Sequence, residues 1–520
     1  MIRNFLTILF SFSIFTTFAQ VEFVDIRTKS RIFENEIYNN QENKHTSIYP
    51  MILKSELDSL NEVLKISTKS KFADTFLNKN LISGGKNLKI SINPIITSEY
   101  FKNFGETGNV FQSEIGLNAN LNFKDKLFSK INFSNHANSY ADYVSARIDS
   151  TQIIPHFGRK YTKSGNIYSF LDLNGYLAYN ASKYINFQIG KDRNFIGEGY
   201  RSLFLSDNAQ SLSFFKTTVE IWKIKYLVMY NMHNDVNTSS ENLNLNKKYS
   251  VIHYLSWNVG KRFTINMFET VVWRGEDSTG YRGYDVNYLN PIIFFRPVDF
   301  SIGSPDNVIM GIGGRIKLFK STYLYSQFIA DEFKISEIKA AKGWWANKFG
   351  LQAGMKCYNL FDVKNLYFLG EINAVRPFTY SHQYSMENYG NYYQSMAHPL
   401  GSNYAEMISI LEYSKKRLTF SSKIILSKYG TDDDSLNYGQ NIYRSYNDPK
   451  MEYGNKLFQG IPNSVIIGEG KIQYLLNQKW NLIFETGIRY RKQTTNSISK
   501  TDKSIFFGLK TNLYHSDVDY

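Results

Sequence analysis

Three stretches of the chain gather side chains dense enough to do chemistry. The first is Gly190-Lys191-Asp192-Arg193-Asn194-Phe195-Ile196-Gly197-Glu198-Gly199-Tyr200-Arg201, with three glycines and both charge signs. A phosphate-cradling loop would need a glycine-rich turn that opens a helix and ends in Lys-Ser or Lys-Thr, and none of that is present. The composition fits a tight loop folded into an enclosed space. Its glycines allow close backbone approach, and Asp192, Arg193, Glu198 and Arg201 can form an internal ionic network. The second stretch is Tyr281-Arg282-Gly283-Tyr284-Asp285-Val286-Asn287-Tyr288-Leu289-Asn290-Pro291, running on to Phe295-Arg296-Pro297-Val298-Asp299. The third, within 371–406, holds Arg376-Pro377-Phe378-Thr379-Tyr380-Ser381-His382, Asn388-Tyr389-Gly390 and Ala397-His398-Pro399-Leu400-Gly401-Ser402-Asn403. Aromatic faces stack on sugar rings, and Asn, Arg and Asp hydrogen-bond sugar hydroxyls. Arg282, Tyr284, Tyr288, Arg376, Tyr380 and His382 are therefore the candidate glycan-binding residues. The alternative for the same residues is an aromatic girdle and loop packing.

Catalysis has little support. His382 and His398 fall in one loop region with Ser381 and Ser385 nearby, but no Gly-x-Ser-x-Gly elbow and no His-Glu-x-x-His motif occurs. Spacing alone leaves a paired-carboxylate glycosidase open, because strands bring distant residues together. The single cysteine, Cys357, excludes an intrachain disulfide and a cysteine-based metal cluster. The reading is a non-enzymatic protein with no cofactor and no metal.

The elements that must position these stretches have a period of two. In 114–124, Ile115, Leu117, Ala119, Leu121 and Phe123 alternate with Glu114, Gly116, Asn118, Asn120 and Asn122. After a short Asp125-Lys126 turn, Ile131 and Phe133 alternate with Lys130, Asn132 and Ser134. The same alternation returns with Leu173, Leu177 and Tyr179, with Ile185, Phe187 and Ile189, and with Leu351, Ala353, Met355 and Cys357. It recurs with Leu482, Phe484 and Ile488, and with Ile505, Phe507 and Leu509. Successive side chains of a strand face opposite sides, so each strand has one apolar and one polar face. A soluble two-sheet sandwich permits that pattern too. Strands of about 9–12 residues are long for a soluble protein, however, and are what a closed sheet in lipid needs. The sequence predicts an all-β antiparallel transmembrane β-barrel of about 16–18 strands over 88–520. Segments 137–166, 193–211, 231–249, 275–307, 376–403 and 429–463 are its expected outer loops. Glu371, Glu406, Glu412, Lys423, Glu485, Arg489, Arg491 and Lys510 belong to the lumen face, where mixed signs favour internal pairing over a wide pore.

The start of the chain reads as an export signal over 1–19: Arg3, then an apolar run to Phe18, then Thr17-Phe18-Ala19 before Gln20. Between them, 20–87 is expected to be a periplasmic helical leader lying against the barrel mouth or entering it. Leu53, Leu57, Leu60, Val63, Leu64 and Ile66 in 51–80 are spaced for one or two amphipathic helices. A mean hydropathy of -0.35 is far from that of a helical membrane protein. The 38 Tyr and 39 Phe suit strands and the membrane interface. The formal charge of +14 is spread along the chain and not clustered, which argues against nucleic acid as a partner.

With these residues in hand, the chain resembles the Bacteroidetes branch of the capsule assembly protein Wzi family, which includes gliding-motility-associated RemB-like outer-membrane proteins. The resemblance is carried by Gln188-Ile189-Gly190-Lys191-Asp192-Arg193 with Gly197-Glu198-Gly199 and Leu205-Ser206-Asp207-Asn208-Ala209, and by Tyr288-Leu289-Asn290-Pro291. Arg376-Pro377-Phe378-Thr379-Tyr380-Ser381-His382, Asn388-Tyr389-Gly390 and Ala397-His398-Pro399-Leu400-Gly401 add to it, so that it spans about 170–405. It implies a monomeric barrel of about 18 strands in the Gram-negative outer membrane, with a periplasmic helical part. It also implies a lectin-like hold on capsular polysaccharide instead of an export channel. Relatives serving adhesion or gliding keep a second class open, a structural or accessory barrel with a periplasmic or outer-membrane protein partner. A solute porin is the third. The family offers no catalytic set to carry over.

Overall fold

The computed structural model describes residues 21–24, 27, 31–40, 44–54, 70–85, 87–105, 108–236, 246–277, 280–292, 306–514 and 518–520. The expected signal segment 1–19 lies outside them, as do Leu57, Leu60, Val63, Leu64 and Ile66.

Eighteen antiparallel strands close into one barrel. They are β1 (Leu88–Asn103), β2 (Val110–Phe123), β3 (Leu127–Asn138), β4 (Ile167–Asn180), β5 (Ile185–Asp192) and β6 (Leu212–Ile221). Next come β7 (Ile224–Asp235), β8 (Asn246–Asn258), β9 (Phe263–Arg274), β10 (Asn307–Lys317), β11 (Thr322–Ala330) and β12 (Phe349–Tyr358). The last six are β13 (Leu366–Val375), β14 (Tyr404–Lys415), β15 (Leu418–Thr431), β16 (Ile461–Asn477), β17 (Leu482–Thr495) and β18 (Ile498–Thr511). Neighbours in sequence are neighbours in the sheet, and β18 closes on β1 with Ser504 opposite Asn103 and Lys510 opposite Thr97. Closure leaves no unpaired strand edge, which is the condition for putting a sheet in lipid.

The burial pattern is inverted relative to a soluble protein. Ile115 is 70% exposed, Leu171 65% and Ile488 62%, while the polar residues between them face inward and are buried. An asparagine ladder shows how the inward face is satisfied. Asn118 donates to Asn132 at 2.5 Å, Asn132 to Asn174 at 2.8 Å, and Asn174 to Asp172 at 2.7 Å, crossing three strands. An apolar exterior around a hydrogen-bonded polar interior excludes the sandwich and matches an outer-membrane barrel.

One end of the barrel carries the tight turns, such as 124–126 after β2 and the two-residue turn between β14 and β15. The other end carries the long connections and is the extracellular end of such barrels. The N-terminal segment contains α1 (Arg31–Asn40) and α2 (Lys71–Asn78), and one of the long connections contains α3 (Asp142–Thr151).

The N-terminal segment read as helical contains two helices and short strands among its described residues, while 55–69 lies outside them. Met51–Lys54 is a strand paired with Val21–Val24, and only Lys71–Asn78 of the 51–80 region is helical among the described residues. Helix α1 packs among lumen-facing side chains. Glu34 is buried there, 2.7 Å from the Lys356 ammonium and 2.6 Å from the Arg31 guanidinium. Burial alone would raise the Glu34 carboxyl; the two cations outweigh it and hold it at about 2. The pair Ile48–Tyr49 then adds a short strand to Phe195–Ile196, inside the barrel.

Candidate functional site

The 193–211 connection turns into the lumen and is held there by ionic and backbone contacts. Glu198 accepts from the Tyr38 hydroxyl at 2.5 Å and from the Thr46 hydroxyl at 2.9 Å, with Arg315 at 3.9 Å. Arg201 spans to Glu406 with two bonds of 3.2 Å and to Asp519 at 2.9 Å. Asp519 also takes the Lys423 ammonium at 3.1 Å. Glu371 receives the backbone N–H groups of Tyr200 and Arg201 at 2.8 and 3.0 Å. That approach requires glycine at 199, where a Cβ would stand 2.1 Å from the Glu371 Oε2. Asp192 faces Lys130 at 3.5 Å, and the Arg193 guanidinium lies 3.9 Å over the Tyr514 ring and donates to the His156 carbonyl. The four residues of the glycine-rich stretch thus tie together the N-terminal segment, the barrel wall and residues 518–520.

The 376–403 connection folds down onto this loop. Tyr380 donates to the Leu203 carbonyl at 2.8 Å, Tyr389 to the Phe204 carbonyl at 2.7 Å, and the Ser206 N–H to the Met396 carbonyl at 2.7 Å. His398 lies 2.6 Å from Glu406 and stacks on Tyr404 at 4.1 Å. Burial lowers the imidazole below its ordinary value despite the opposing pull of Glu406. His382 faces Glu387 at 2.9 Å, and Ser381 donates to the Phe378 carbonyl at 2.6 Å. Among the described residues, the polar side-chain partners of the two histidines are carboxylates, Glu387 and Glu406. Among the described residues no group of three or more His, Cys, Asp or Glu is placed to hold a metal.

The six candidate glycan residues do not come together. Tyr380 is completely buried and His382 is buried beside Glu387, on the lumen side, while Arg376 donates to the Asn347 carbonyl and lies 5.3 Å over the ring of Phe349, in the same outward row as Leu351. Arg282, Tyr284 and Tyr288 lie outside the wall. Tyr288 packs on Trp273 at 4.8 Å, Tyr284 on Tyr249 at 4.5 Å, and Arg282 grips Asp306 with two bonds of 2.7 Å. Trp273 and Tyr249 belong to the outward rows of β9 and β8, so the chain after β9 turns over the outer surface. The expected set is therefore spread over separate parts of the protein.

A cleft of about 630 Å³ opens instead among the long connections. Tyr393 and Tyr443 stack in its wall at 4.3 Å and 21°. Arg147 of α3 contributes its guanidinium, 5.0 Å over the Tyr520 ring. Gln440, Asn441, Arg444 and Gln493 add polar groups, with Asp432, Asp433 and Asp434 on one rim. Asn441 orients the aromatic pair by donating to the Tyr393 hydroxyl at 3.1 Å, and Tyr443 is fixed by donating to the Gln394 carbonyl at 2.9 Å. Leu400 and Ile442 of the cleft share an apolar cluster with Tyr380 and Tyr389, so the buried third stretch supports the floor. Beneath the cleft, Arg491 sits 3.7 Å over the Tyr143 ring. That pair also borders a separate lumen cavity of about 130 Å³ lined by Glu99, Glu114, Glu469, Lys471 and Glu485. Sequence reasoning missed Arg147, Tyr443 and Gln493. They come from three distant connections and strand ends, and the Tyr392-Tyr393 doublet was the one local signal.

No family model and no curated protein sequence matches the chain. Among solved structures, it is similar to Wzi, an outer membrane protein involved in group 1 capsule assembly in Escherichia coli and a carbohydrate-binding β-barrel. The TM-score is 0.56 at 11% identity, over 95% of this chain and 100% of that chain. Pseudomonas aeruginosa OccK5 and OprD also match, with TM-scores of 0.43 and 0.42 and 9% identity each, over 81% of this chain and 97% and 94% of theirs. The likeness to Wzi is one of fold: an outer-membrane β-barrel.

Proposed function

We propose that this barrel binds surface polysaccharide in the extracellular cleft and does not conduct solutes. The observation that carries the reading is the stacked Tyr393–Tyr443 pair beside Arg147, Gln440 and Asn441 in a cleft large enough for a sugar unit. Aromatic faces with amide and guanidinium donors form the chemistry that sugars require. Three arginines and three aspartates line the cleft, so its charge is balanced and hydroxyl-rich units suit it as well as acidic ones. Wzi is a carbohydrate-binding barrel, which agrees with this reading. The filled lumen supports binding over transport, since α1, the 193–211 loop, the 376–403 loop and Asp519 all meet inside the wall. Equilibrium binding of the purified barrel to polysaccharide from its own cell surface tests it, with Tyr393→Ala and Arg147→Ala as the informative variants.

A second reading, an accessory barrel of a motility, adhesion or secretion apparatus as in RemB-like proteins of Bacteroidetes, draws on α2. This helix lies against the tight-turn end. Arg417 donates to the Leu77 carbonyl, Trp480 to the Lys79 carbonyl, and Phe76 packs on Trp480 at 5.6 Å. A helix fixed at the periplasmic mouth is a docking point for a protein partner. Affinity capture with an α2 surface variant as control separates this reading from the first.

A further inference from the structure

The outward face of β7–β9 is unlike the rest of the barrel exterior. Rows across these strands are set by register: Met232, Tyr249 and Trp273 near the extracellular end, Val228, His253 and Glu269 in the middle, and Ile224, Trp257 and Ile265 near the tight turns. The middle row is four residues from each of the others, or about 14 Å along the strand at roughly 3.4 Å per residue. His253 and Glu269 therefore point outward near the middle of the apolar band, which is about 25 Å tall in such barrels. An ionisable pair facing lipid there is costly. Both are nevertheless only 4% exposed, and Val251 beside them is 1% exposed.

The cover is supplied in part by the chain that leaves β9. The Trp273 indole donates to the Gly283 carbonyl at 2.9 Å, and Tyr288 packs on the same ring. Further down, Tyr230 donates to the Leu289 carbonyl at 3.0 Å. The Tyr226 hydroxyl donates to the Pro291 carbonyl at 2.5 Å and lies 2.9 Å from the His253 Nδ1. Residues 283–291 thus descend the outside of the wall from the Trp273 row to the His253 row. Arg282, Asp285 and Asp306 neutralise one another at the upper end. The exposed side chains of the segment include Tyr281 and Tyr284 near its start, Asn287, and the aliphatic Val286 at 73%, Leu289 at 51% and Ile292 at 59%.

We propose that residues 280–292 form a flap seated in the outer leaflet, with Val286, Leu289 and Ile292 against lipid acyl chains. The segment expected from sequence to be an aqueous loop is then part of the lipid-facing surface. It continues the apolar band past a polar interruption in the wall. Depth favours acyl chains as the occupant: the Leu289 and Pro291 carbonyls are held by Tyr230 and Tyr226, on the stretch of wall between the Trp273 row and the tight turns.

The test is a set of nitroxide labels at Val286→Cys, Leu289→Cys and Ile292→Cys in a Cys357→Ala background, reconstituted in phosphatidylcholine and phosphatidylglycerol vesicles. Ile115→Cys serves as the lipid-facing reference and Asp434→Cys as the aqueous one. The flap labels are expected to match Ile115, with high collision rates for oxygen and low rates for a water-soluble nickel chelate. Rates matching Asp434 would overturn the proposal. Protection from both reagents would overturn it in favour of a protein partner or a second copy. Labelling of the unaltered protein by a bilayer-soluble aryl diazirine needs no substitution. Carbene adducts on 286–292 are expected, and adducts on Ile115 and Leu171 without any on 286–292 would refute the flap.

Discussion

Trp273 and Arg274 are adjacent in sequence and hold opposite sides of the barrel wall. The Trp273 indole faces outward and binds the Gly283 carbonyl, while the Arg274 guanidinium faces inward and binds Glu387 at 2.7 Å. The polar and apolar halves of the loop structure are anchored one residue apart. Trp273→Ala is expected to loosen 280–292 and leave 376–403 intact, and Arg274→Ala to do the reverse. Arg274→Ala leaves Glu387 buried with a weakened counter-charge, at about 3–5 kcal/mol for a broken buried pair. Limited proteolysis mapped by mass spectrometry distinguishes the two. Cleavage of both segments in either variant would contradict the separation.

Glu198 joins three parts of the lumen filling, so Glu198→Ala should destabilise the barrel more than a loop substitution ordinarily does. It removes the acceptor of Tyr38 and Thr46 and the nearest carboxylate to Arg315. A loss of about 2–4 kcal/mol is expected from stranding buried donors and a buried cation. Heat-modified migration in detergent reads it, and a melting profile equal to the unaltered protein would count against the network.

The seating of α1 should depend on pH. The Glu34 carboxyl is held at about 2 in the folded protein, below its ordinary 4.5. A depressed folded value contributes stability above the unfolded pKa, and that contribution is lost as pH falls from about 4.5 towards 2. Acidification through this window is expected to weaken the hold of Lys356 and Arg31 on α1, with Glu34→Gln flattening the dependence. Hydrogen exchange of residues 31–40 measured at pH 6 and pH 3 would show it; equal protection at both would contradict it.

Much of this fold was legible because a barrel wall repeats one rule. The alternation of Ile115, Leu117 and Leu121 with Glu114, Asn118 and Asn120 identifies lipid and lumen faces without any partner being known, and the structure has eighteen strands where 16–18 were expected. Of the 51–80 segment, Met51–Lys54 is a strand and Lys71–Asn78 a helix, and the apolar residues between them lie outside the described residues. The cleft was least legible. Arg147, Tyr393 and Gln493 are brought together by closure of the sheet and infolding of the connections, and no local spacing encodes that meeting. The 281–291 stretch carried sugar-binding residue types yet packs on the outer wall, because aromatic rings serve a membrane interface as well as a sugar.

The filled lumen predicts electrical silence. Reconstituted in a planar bilayer, the barrel should show no steady single-channel conductance, since Arg201, Glu406 and Asp519 lock the infolded loop to the wall. Arg201→Ala is expected to introduce flickering openings by freeing that loop. Large stable conductance in the unaltered protein would refute the closed lumen.

The central claim is tested most directly by titrating the folded barrel with polysaccharide from its own cell surface, beside Tyr393→Ala and an unrelated glycan. Loss of one aromatic stacking partner and its hydroxyl is expected to weaken binding roughly tenfold or more, as about 1.5 kcal/mol would. Saturable binding by the unaltered barrel that Tyr393→Ala weakens, with no binding of the unrelated glycan, is the predicted result. Absence of binding by a barrel shown to be folded, or binding that Tyr393→Ala leaves unchanged, would contradict the assignment of the cleft.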